Sequence, residues 1–238
     1  MRFLMMHKHD EHTERGELPP PELMAKMGAF INEHLQAGRF LDGAGLGATK
    51  TRTLLTFADG VATTTHPYPR RTDHESPAGM LVVKVTAREQ ALGWAERYGK
   101  ILGNGAIELS KVTEPWDLGM MPMPEGAPLR FLLVEKEIGT LDTKQKGELT
   151  RLKTAMRKEG VLEKEIGLEP STNAKRLFFK NNELTVVDGP FAESKELIGG
   201  FSVMEWPDVD AAIAMCKPYA EILGGNLEID VRVVTTLE

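Results

Sequence analysis

Short apolar runs separated by turn residues make up most of the chain. Residues 3–8, 131–135 and 227–234 are apolar runs of strand length, which predicts β-strands near the start of each half and at the end of the sequence. Asp59-Gly60 and Asn181-Asn182 each stand between two β-rich runs. These residue types tolerate the left-handed backbone of a two-residue turn, so each pair predicts a β-hairpin.

Longer segments with apolar residues on one side predict helices between the strands. Residues 21–36 have prolines before them and Gly38 after them, which suits the start and the end of a helix. Residues 143–158 form the equivalent helix of the second half, and Asp208 predicts the N-cap of a further helix there. Pro218 falls inside that last helix, where we expect it to kink or shorten the helix. Each half has the predicted order β-α-β-β-β-α-β.

The predicted order of elements occurs twice along the chain. The residues RFL at 2–4 recur at 130–132, and YGKILG at 98–103 corresponds to YAEILG at 219–224. A stretch with four prolines and two glycines lies between the halves and excludes a regular helix or a central strand there. We predict the following division: repeat 1 at residues 1–112, a linker at 113–128 and repeat 2 at 129–238.

Composition excludes several classes of protein. The 238 residues carry a net charge of −6, which argues against a nucleic-acid surface because such surfaces need clustered Lys and Arg. The apolar runs are too short to span a membrane, and the first one is also too short for a signal peptide. The single cysteine, Cys216, excludes an internal disulfide and a thiolate metal cluster. We expect a cytoplasmic protein that contacts neither membranes nor nucleic acids.

The segment at residues 187–201, VDGPFAESKELIGGF, combines a constrained Gly-Pro turn with a cluster of polar residues. It resembles the hallmark of the DGPF branch of the YCII-related family. Residues 24–30 and 43–46 also look like that family, so the resemblance covers nearly the whole chain. It implies an α+β fold of two tandem ferredoxin-like (YCII-like) repeats. In such proteins two antiparallel sheets pair as a dimeric α/β barrel, which is intramolecular when both copies lie on one chain.

The two halves differ where the family motif lies. Counted from the hairpins, Asp188 of the second half falls opposite His66 of the first, so the motif is intact in repeat 2 and divergent in repeat 1. A duplicated chain can keep a site in one copy while the other copy diverges. We therefore expect one principal site and not two equal ones.

Asp188 is the leading candidate for a general base or acid. Val186, Val187 and Phe191 are apolar neighbours that would remove water from its carboxylate. Lys195 is expected to stabilise an enolate or a carboxylate, with Glu193 orienting it. The alternative is that Asp188 caps its own turn while Glu193 and Lys195 form a solvated ion pair.

His66 is a second candidate base. Arg70 and Arg71 follow it and form a plausible clamp for a carboxylate or a phenolate; the alternative is a surface turn with solvated arginines. The predicted substrate-binding residues are Arg70, Arg71, Glu193, Phe191 and Tyr68.

His7 is the most informative of the six histidines, all of which lie in the first half. It ends the first apolar run and is predicted to transfer protons, since the imidazole pKa lies near neutrality. Glu135 occupies the matching place in the second half. His7, His9 and His12 with neighbouring carboxylates also suggest a metal site, but the spacing matches no standard ligand pattern. We predict a polar loop there and no metal.

The resemblance implies a small-molecule enzyme that needs no organic cofactor. Some relatives are lyases that remove chloride from chlorinated aromatic compounds, and others with this barrel isomerise or cyclise small substrates. We expect an acid–base lyase, isomerase or cyclase acting on a small anionic or aromatic substrate. The alternative is a non-catalytic ligand-binding or stress-regulatory module associated with sigma-factor systems. A monomer with an internal pseudo-dimer, or a homodimer, is expected.

Overall fold

Apart from one short additional helix in the first half, strands and helices follow one another in the same order in both halves of the chain. The computed structural model describes residues 1–8, 11–69, 74–136, 140–191, 193–194 and 197–238. The first half contains β1 (Arg2–Lys8), α1 (Glu11–Arg15), α2 (Pro21–Gln36), β2 (Phe40–Gly45), β3 (Thr53–Ala58), β4 (Val61–Thr65), β5 (His74–Glu75), β6 (Pro77–Val85), α3 (Arg88–Leu102) and β7 (Gly105–Lys111). The second half contains β8 (Leu129–Lys136), α4 (Thr143–Lys158), β9 (Leu162–Leu168), β10 (Lys175–Lys180), β11 (Glu183–Asp188), β12 (Glu193–Ser194), β13 (Ile198–Glu205), α5 (Val209–Ile222) and β14 (Leu227–Leu237).

The helix ends follow from local capping. Asp142 and Gln145 form a reciprocal capping box before α4: the Gln145 N–H donates to the Asp142 side chain, and the Asp142 N–H donates to the Gln145 side chain. The Asp208 side chain accepts from the Ala211 N–H and caps α5 as predicted. The expected shortening of α5 at Pro218 is wrong, because the helix continues to Ile222.

Both predicted hairpins are present. Asp59 and Gly60 have φ of 51° and 76° and join β3 to β4, which pair antiparallel. Asn181 and Asn182 have φ of 51° and 65° and join β10 to β11 in the same way. The left-handed backbone at these positions is the reason for these residue types.

The two halves exchange their first strands. β1 lies between β13 and β14 of the second half, antiparallel to both, and β8 lies in the same way between β6 and β7 of the first half. β2 pairs with β13 and β9 with β6, so the second strands are exchanged as well. The strand pairs of the twelve-stranded sheet are antiparallel, and each half contributes strands to both parts of the sheet.

Alternate residues of the exchanged strands enter different cores. On β1, Leu4 and Met6 belong to a cluster built from strands alone, whereas Phe3 and Met5 pack under α5. A third cluster lies under α3 and α4 and includes Tyr98. β14 pairs with β9 in the middle of the strand order. A single bridge from Leu46 to Val112 makes a corresponding contact between the chain after β2 and the chain after β7.

Candidate functional site

A cavity of about 120 Å³ opens where α3, α4, β6, β8 and β9 meet. The strand exchange places elements of both halves around it. Its polar lining consists of Tyr98, Glu135, Lys153 and Glu165. The remaining lining residues are apolar or small: Ala78, Gly79, Met80, Leu81, Ile107, Leu133, Ile166 and Gly167.

Tyr98 and Glu135 form a hydrogen-bonded pair in this cavity. Glu135 lies near the end of β8 and shares its face with Leu133, so its side chain points towards α3. The buried Tyr98 hydroxyl donates to Glu135 Oε2 at 2.7 Å. Burial raises the pKa of the Glu135 carboxyl, although the Tyr98 hydrogen bond and the Lys153 charge act in the opposite direction. Burial and the Glu135 charge also raise the pKa of Tyr98 well above its ordinary value.

A chain of ion pairs holds the lysine of the cavity. Lys153 Nζ lies 2.7 Å from Glu165 Oε1, and Arg157 binds the other oxygen of Glu165 at 2.6 Å. Arg157 also binds Glu238 at 2.6 Å. Burial acts to raise the pKa of Glu165, but the bonds from Lys153 and Arg157 outweigh it and lower that pKa. The two carboxyl groups of the cavity therefore have pKa values displaced in opposite directions, an arrangement that is typical of acid–base sites.

The other half has a tyrosine pair at the matching position. The Tyr219 hydroxyl lies 2.7 Å from His7 Nδ1, so His7 replaces Glu135 as the partner. Phe30 lies 5.8 Å from Tyr219 between ring centroids, and the His34 ring packs edge-on against Phe30 at 4.4 Å. His34 is buried, as its place on the helix stripe indicates, and burial lowers its pKa.

β8, which carries Glu135, also carries a buried lysine on its opposite face, and so does β1, which carries His7. Lys136 binds Glu108 at 2.9 Å, and Arg52 binds the same carboxylate; all three side chains are at most 2% exposed. Burial alone would raise the pKa of Glu108, but the two cations outweigh it and lower that pKa. In the matching cluster Lys8 binds Asp230 at 2.8 Å, and Arg176 binds it at 2.7 Å. These clusters bind elements of the two halves together.

The structure places Asp188 in water. It ends β11, an edge strand that is exposed along its whole length, and 75% of its side chain is exposed. Lys175, its neighbour across the hairpin, binds it at 2.7 Å. The expected desolvation by Val186 and Val187 is not found, because both valines are themselves 41% exposed.

The glycine of the DGPF segment has a structural reason. A Cβ at Gly189 would lie 2.0 Å from the Ser171 carbonyl oxygen, so no other residue fits without backbone movement. Phe191 lies over the Arg176 guanidinium at 4.3 Å, and its carbonyl accepts the Ser76 hydroxyl. The backbone of β12 then pairs with β5 of the first half. The segment thus packs a tight turn and joins the two halves.

The remaining predicted residues are dispersed. His66 is exposed, and its Nδ1 lies 2.8 Å from the Arg52 carbonyl oxygen and 3.0 Å from the Arg88 guanidinium. Tyr68 is buried in a small cluster with Leu54, Ala106 and Leu197. Arg70, Arg71 and Lys195 lie outside the described residues, as does the side chain of Glu193. Within the described residues, Asp188 and His66 share no hydrogen bond or ion pair.

The suggested metal ligands are also separated. His12 is exposed and binds Glu17 at 2.7 Å, whereas His7 binds Tyr219. His9 and Asp10 lie outside the described residues. Within the part of the chain that the structure describes, no three His, Cys, Asp or Glu side chains are grouped as metal ligands.

Sequence reasoning overlooked the two tyrosines and Lys153. A signal for the tyrosines was present, because Tyr98 and Tyr219 open the repeated segments YGKILG and YAEILG. Glu135 had been matched to His7 by position alone. Lys153 carried no such signal, since lysine is common on exposed helix faces.

Comparison with known proteins identifies a domain in the second half. Residues 141–232 match the family model described as YCII-related domain. This match runs from just before α4 into β14 and confirms the expected YCII resemblance for that segment. Neither a curated protein nor a solved structure matches the chain. The described helices include none that is long and apolar enough to cross a membrane.

Proposed function

We propose that the protein is an acid–base enzyme that moves a proton on a small molecule bound beside Glu135. The observation that carries this proposal is a carboxyl group with a raised pKa that is half-buried in a cavity and bonded to a tyrosine. Strongly perturbed titratable groups in a cleft are a physical mark of catalytic sites. The Lys153 ammonium on the same cavity supplies a positive charge.

The chemistry follows from these three groups. The ionised Glu135 carboxylate takes a proton from a carbon next to a carbonyl group. The C–H electron pair becomes a C=C bond, and the carbonyl π pair moves onto oxygen to give an enolate. Lys153 stabilises the negative oxygen, and the protonated Glu135 returns its proton to the same carbon or to another one. Such a step serves an isomerase, a cyclase or a lyase.

We further propose that the chain is a tandem duplication of the DGPF type. The repeated element order, the matching tyrosine pairs and the matching buried lysines support a common origin of the two halves. The two bridging contacts between β9 and β14 and between Leu46 and Val112 support closure of the strands into one barrel within the chain. A cytoplasmic location is proposed from the single, buried Cys216.

Hydrogen exchange at carbon tests the enzymatic proposal directly. The protein is incubated in D₂O with small ring ketones, lactones and phenols, and loss of the α-proton signals is followed by NMR. We expect exchange by the wild type and by Glu89→Gln, an exposed change on α3, and at least a hundredfold slower exchange by Glu135→Gln. Equal exchange by Glu135→Gln and the wild type would contradict the proposal.

The same experiment separates the base suggested by the structure from the bases predicted from sequence. Asp188→Asn and His66→Gln lose exchange only if the motif residues act on the substrate. A second candidate function, ligand binding without catalysis, is favoured by the exposed Asp188 and the structural turn at Gly189. That function predicts saturable binding in the cavity with no exchange by any variant.

A further inference from the structure

Two polar groups of the cavity have hydrogen-bonding capacity left for a ligand. In the described part of the chain, the Tyr98 hydroxyl is the one hydrogen-bond partner of the Glu135 carboxyl, so the second carboxyl oxygen is available. Lys153 donates one N–H to Glu165, and an ammonium group has three. Both groups line the same cavity. A bound molecule can therefore accept a hydrogen bond from Lys153 and present a C–H group to Glu135.

The charges on the α4 side of the cavity are already paired with one another. Lys153 and Arg157 bind the two oxygens of Glu165, and Glu238 binds Arg157. The side chains of Lys153 and Glu165 are only 20% and 16% exposed, so separating them leaves a poorly solvated charge. An anionic ligand would meet two carboxyl groups and one ammonium in the lining. A cationic ligand would compete with two cations for Glu165, and at Glu135 it would share the cavity with the Lys153 ammonium. A ligand without a fixed charge avoids both costs.

The apolar lining and the volume of the cavity limit the polarity and the size of the ligand. Leu81, Ile107 and Leu133 are each at most 5% exposed, belong to the core cluster that includes Tyr98, and present an apolar surface. The volume of about 120 Å³ is slightly below that of an apolar protein cavity that takes one benzene molecule, roughly 150 Å³. This volume limits the ligand to about one six-membered ring.

Gly79 keeps the space beside Glu135 open. A Cβ at Gly79 would lie 4.0 Å from Glu135 Oε2 and 3.4 Å from the Ile166 carbonyl oxygen. An alanine there is in ordinary contact with its surroundings, but it extends into the cavity. Larger side chains at Gly79 therefore block the ligand without changing any polar group of the site.

We infer that the cavity takes an uncharged cyclic carbonyl compound with one six-membered ring, its carbonyl oxygen bound by Lys153 and its neighbouring C–H group facing Glu135. This assignment rests on the proposed function and names its substrate class. It replaces the anionic ligands that an arginine clamp at Arg70 and Arg71 would favour.

Three probes with the same ring test this assignment: cyclohexanone, cyclohexanecarboxylate and cyclohexylammonium. Each is titrated into the full-length protein, and the shifts of backbone amide signals of β6, β8 and α4 are followed by NMR. We expect cyclohexanone to shift these signals in a saturable way and the two charged probes to bind at least tenfold more weakly. Lys153→Met is expected to weaken cyclohexanone binding severalfold, with Lys158→Met, on the same helix, as the matched control.

Blocking variants locate the binding. Gly79→Val should abolish saturable binding while the spectrum stays that of the folded protein, and Gly79→Ala, the milder change, should weaken it. Equal or tighter binding of either charged probe, unchanged cyclohexanone binding in both Gly79 variants, or the absence of binding by all three probes would overturn the assignment. Because the titration measures binding alone, a ketone that binds without exchanging its α-hydrogens contradicts the proposed function and not the ligand class. Exchange of the α-hydrogens of a charged compound contradicts the ligand class and not the proposed function.

Discussion

Tyr98 and Tyr219 lie at matching positions, and each places its hydroxyl 2.7 Å from a partner on the exchanged first strand of the other half. Tyr98 meets a carboxyl group beside a cavity. Tyr219 meets the His7 imidazole, whose ring lies so close to the chain that a Cβ at Gly200 would be 2.5 Å from His7 Cε1. One scaffold thus holds an open site around one tyrosine pair and close packing around the other. The partner residue and the glycine beside it decide between the two.

The helices that cover the two tyrosine pairs also differ, in the kind of side chain that each contributes. α4 brings Lys153 to Tyr98, with the ammonium 5.6 Å from the tyrosine ring centroid. α2 brings Phe30 and His34 to the neighbourhood of Tyr219 instead. Charge surrounds the first pair and aromatic rings surround the second. A proton-transfer site needs the former, because the enolate that forms must be stabilised.

The largest effect is expected from breaking the buried ion clusters, which also differ between the halves. Arg52→Met should lower the free energy of unfolding by about 3–5 kcal/mol, because Glu108 is completely buried and Arg52 also donates to the Gly47 and Ile198 carbonyls. Arg176→Met should cost about 1.5–3 kcal/mol, since its side chain is 10% exposed whereas that of Arg52 is completely buried. Urea denaturation measures both values. An equal or larger loss for Arg176→Met would contradict this ranking.

The next effect distinguishes the two glycines beside the tyrosine pairs. Gly200→Ala should cost about 1–3 kcal/mol, because the new methyl group would lie 2.5 Å from His7 and 2.9 Å from the Ala44 carbonyl oxygen. Gly79→Ala should stay within about 0.5 kcal/mol of the wild type, since its methyl group points into the cavity. Urea denaturation checks both values, because a shift of the midpoint at an unchanged slope measures the change in stability. Similar losses at the two sites would show that the surroundings of Tyr98 are packed as closely as those of Tyr219.

The dependence of stability on pH should have opposite signs in the two halves. The folded state binds the Glu135 proton more tightly than the unfolded chain, so this group's stabilisation is full below the ordinary pKa of 4.5 and is lost as pH rises through the raised value. His34 has a lowered pKa, so its contribution is full above 6.5 and is lost as pH falls. Urea denaturation between pH 4 and 8 should show that Glu135→Gln removes the first loss. His34→Phe should remove the second, and a Glu135→Gln profile identical to that of the wild type would exclude the assignment.

The smallest effect is expected at the motif residue that the sequence favours. Asp188→Asn should change the free energy of unfolding by no more than about 0.5 kcal/mol, because its ion pair with Lys175 is exposed to solvent. Lys175→Met serves as the partner control. A loss above about 2 kcal/mol would mean that Asp188 supports the fold in a way that its exposed position does not explain.

Local structure could be predicted from the sequence because local chemistry determines it. The prolines before residue 21, the cap at Asp208 and the turn pairs at Asp59-Gly60 and Asn181-Asn182 act within a few residues, and the helices α2 and α4 have the predicted bounds. The strand exchange was not predictable, because β1 and β8 have similar apolar patterns and either partner sheet would bury them equally well.

The site was predictable only in part for a related reason. The matching of His7 and Glu135 follows from the repeat, and both prove to be tyrosine partners. Asp188 was favoured because its motif is distinctive, but a motif does not show that its strand lies at the edge of a sheet. Burial depends on which elements pack over a residue, and that is decided by the exchange between the halves.

The titration of Glu135 tests the central claim most directly. The protein is labelled with ¹³C at the glutamate carboxyl groups, Glu135 is assigned from the signal that Glu135→Gln lacks, and each carboxyl is followed from pH 2 to 9. We predict a pKa of Glu135 above the ordinary value of 4.5, a pKa of Glu165 below it, and a further rise for Glu135 when Tyr98→Phe removes the hydrogen bond. A Glu135 pKa at or below 4.5 would contradict the assignment of this carboxyl as the proton-transfer group.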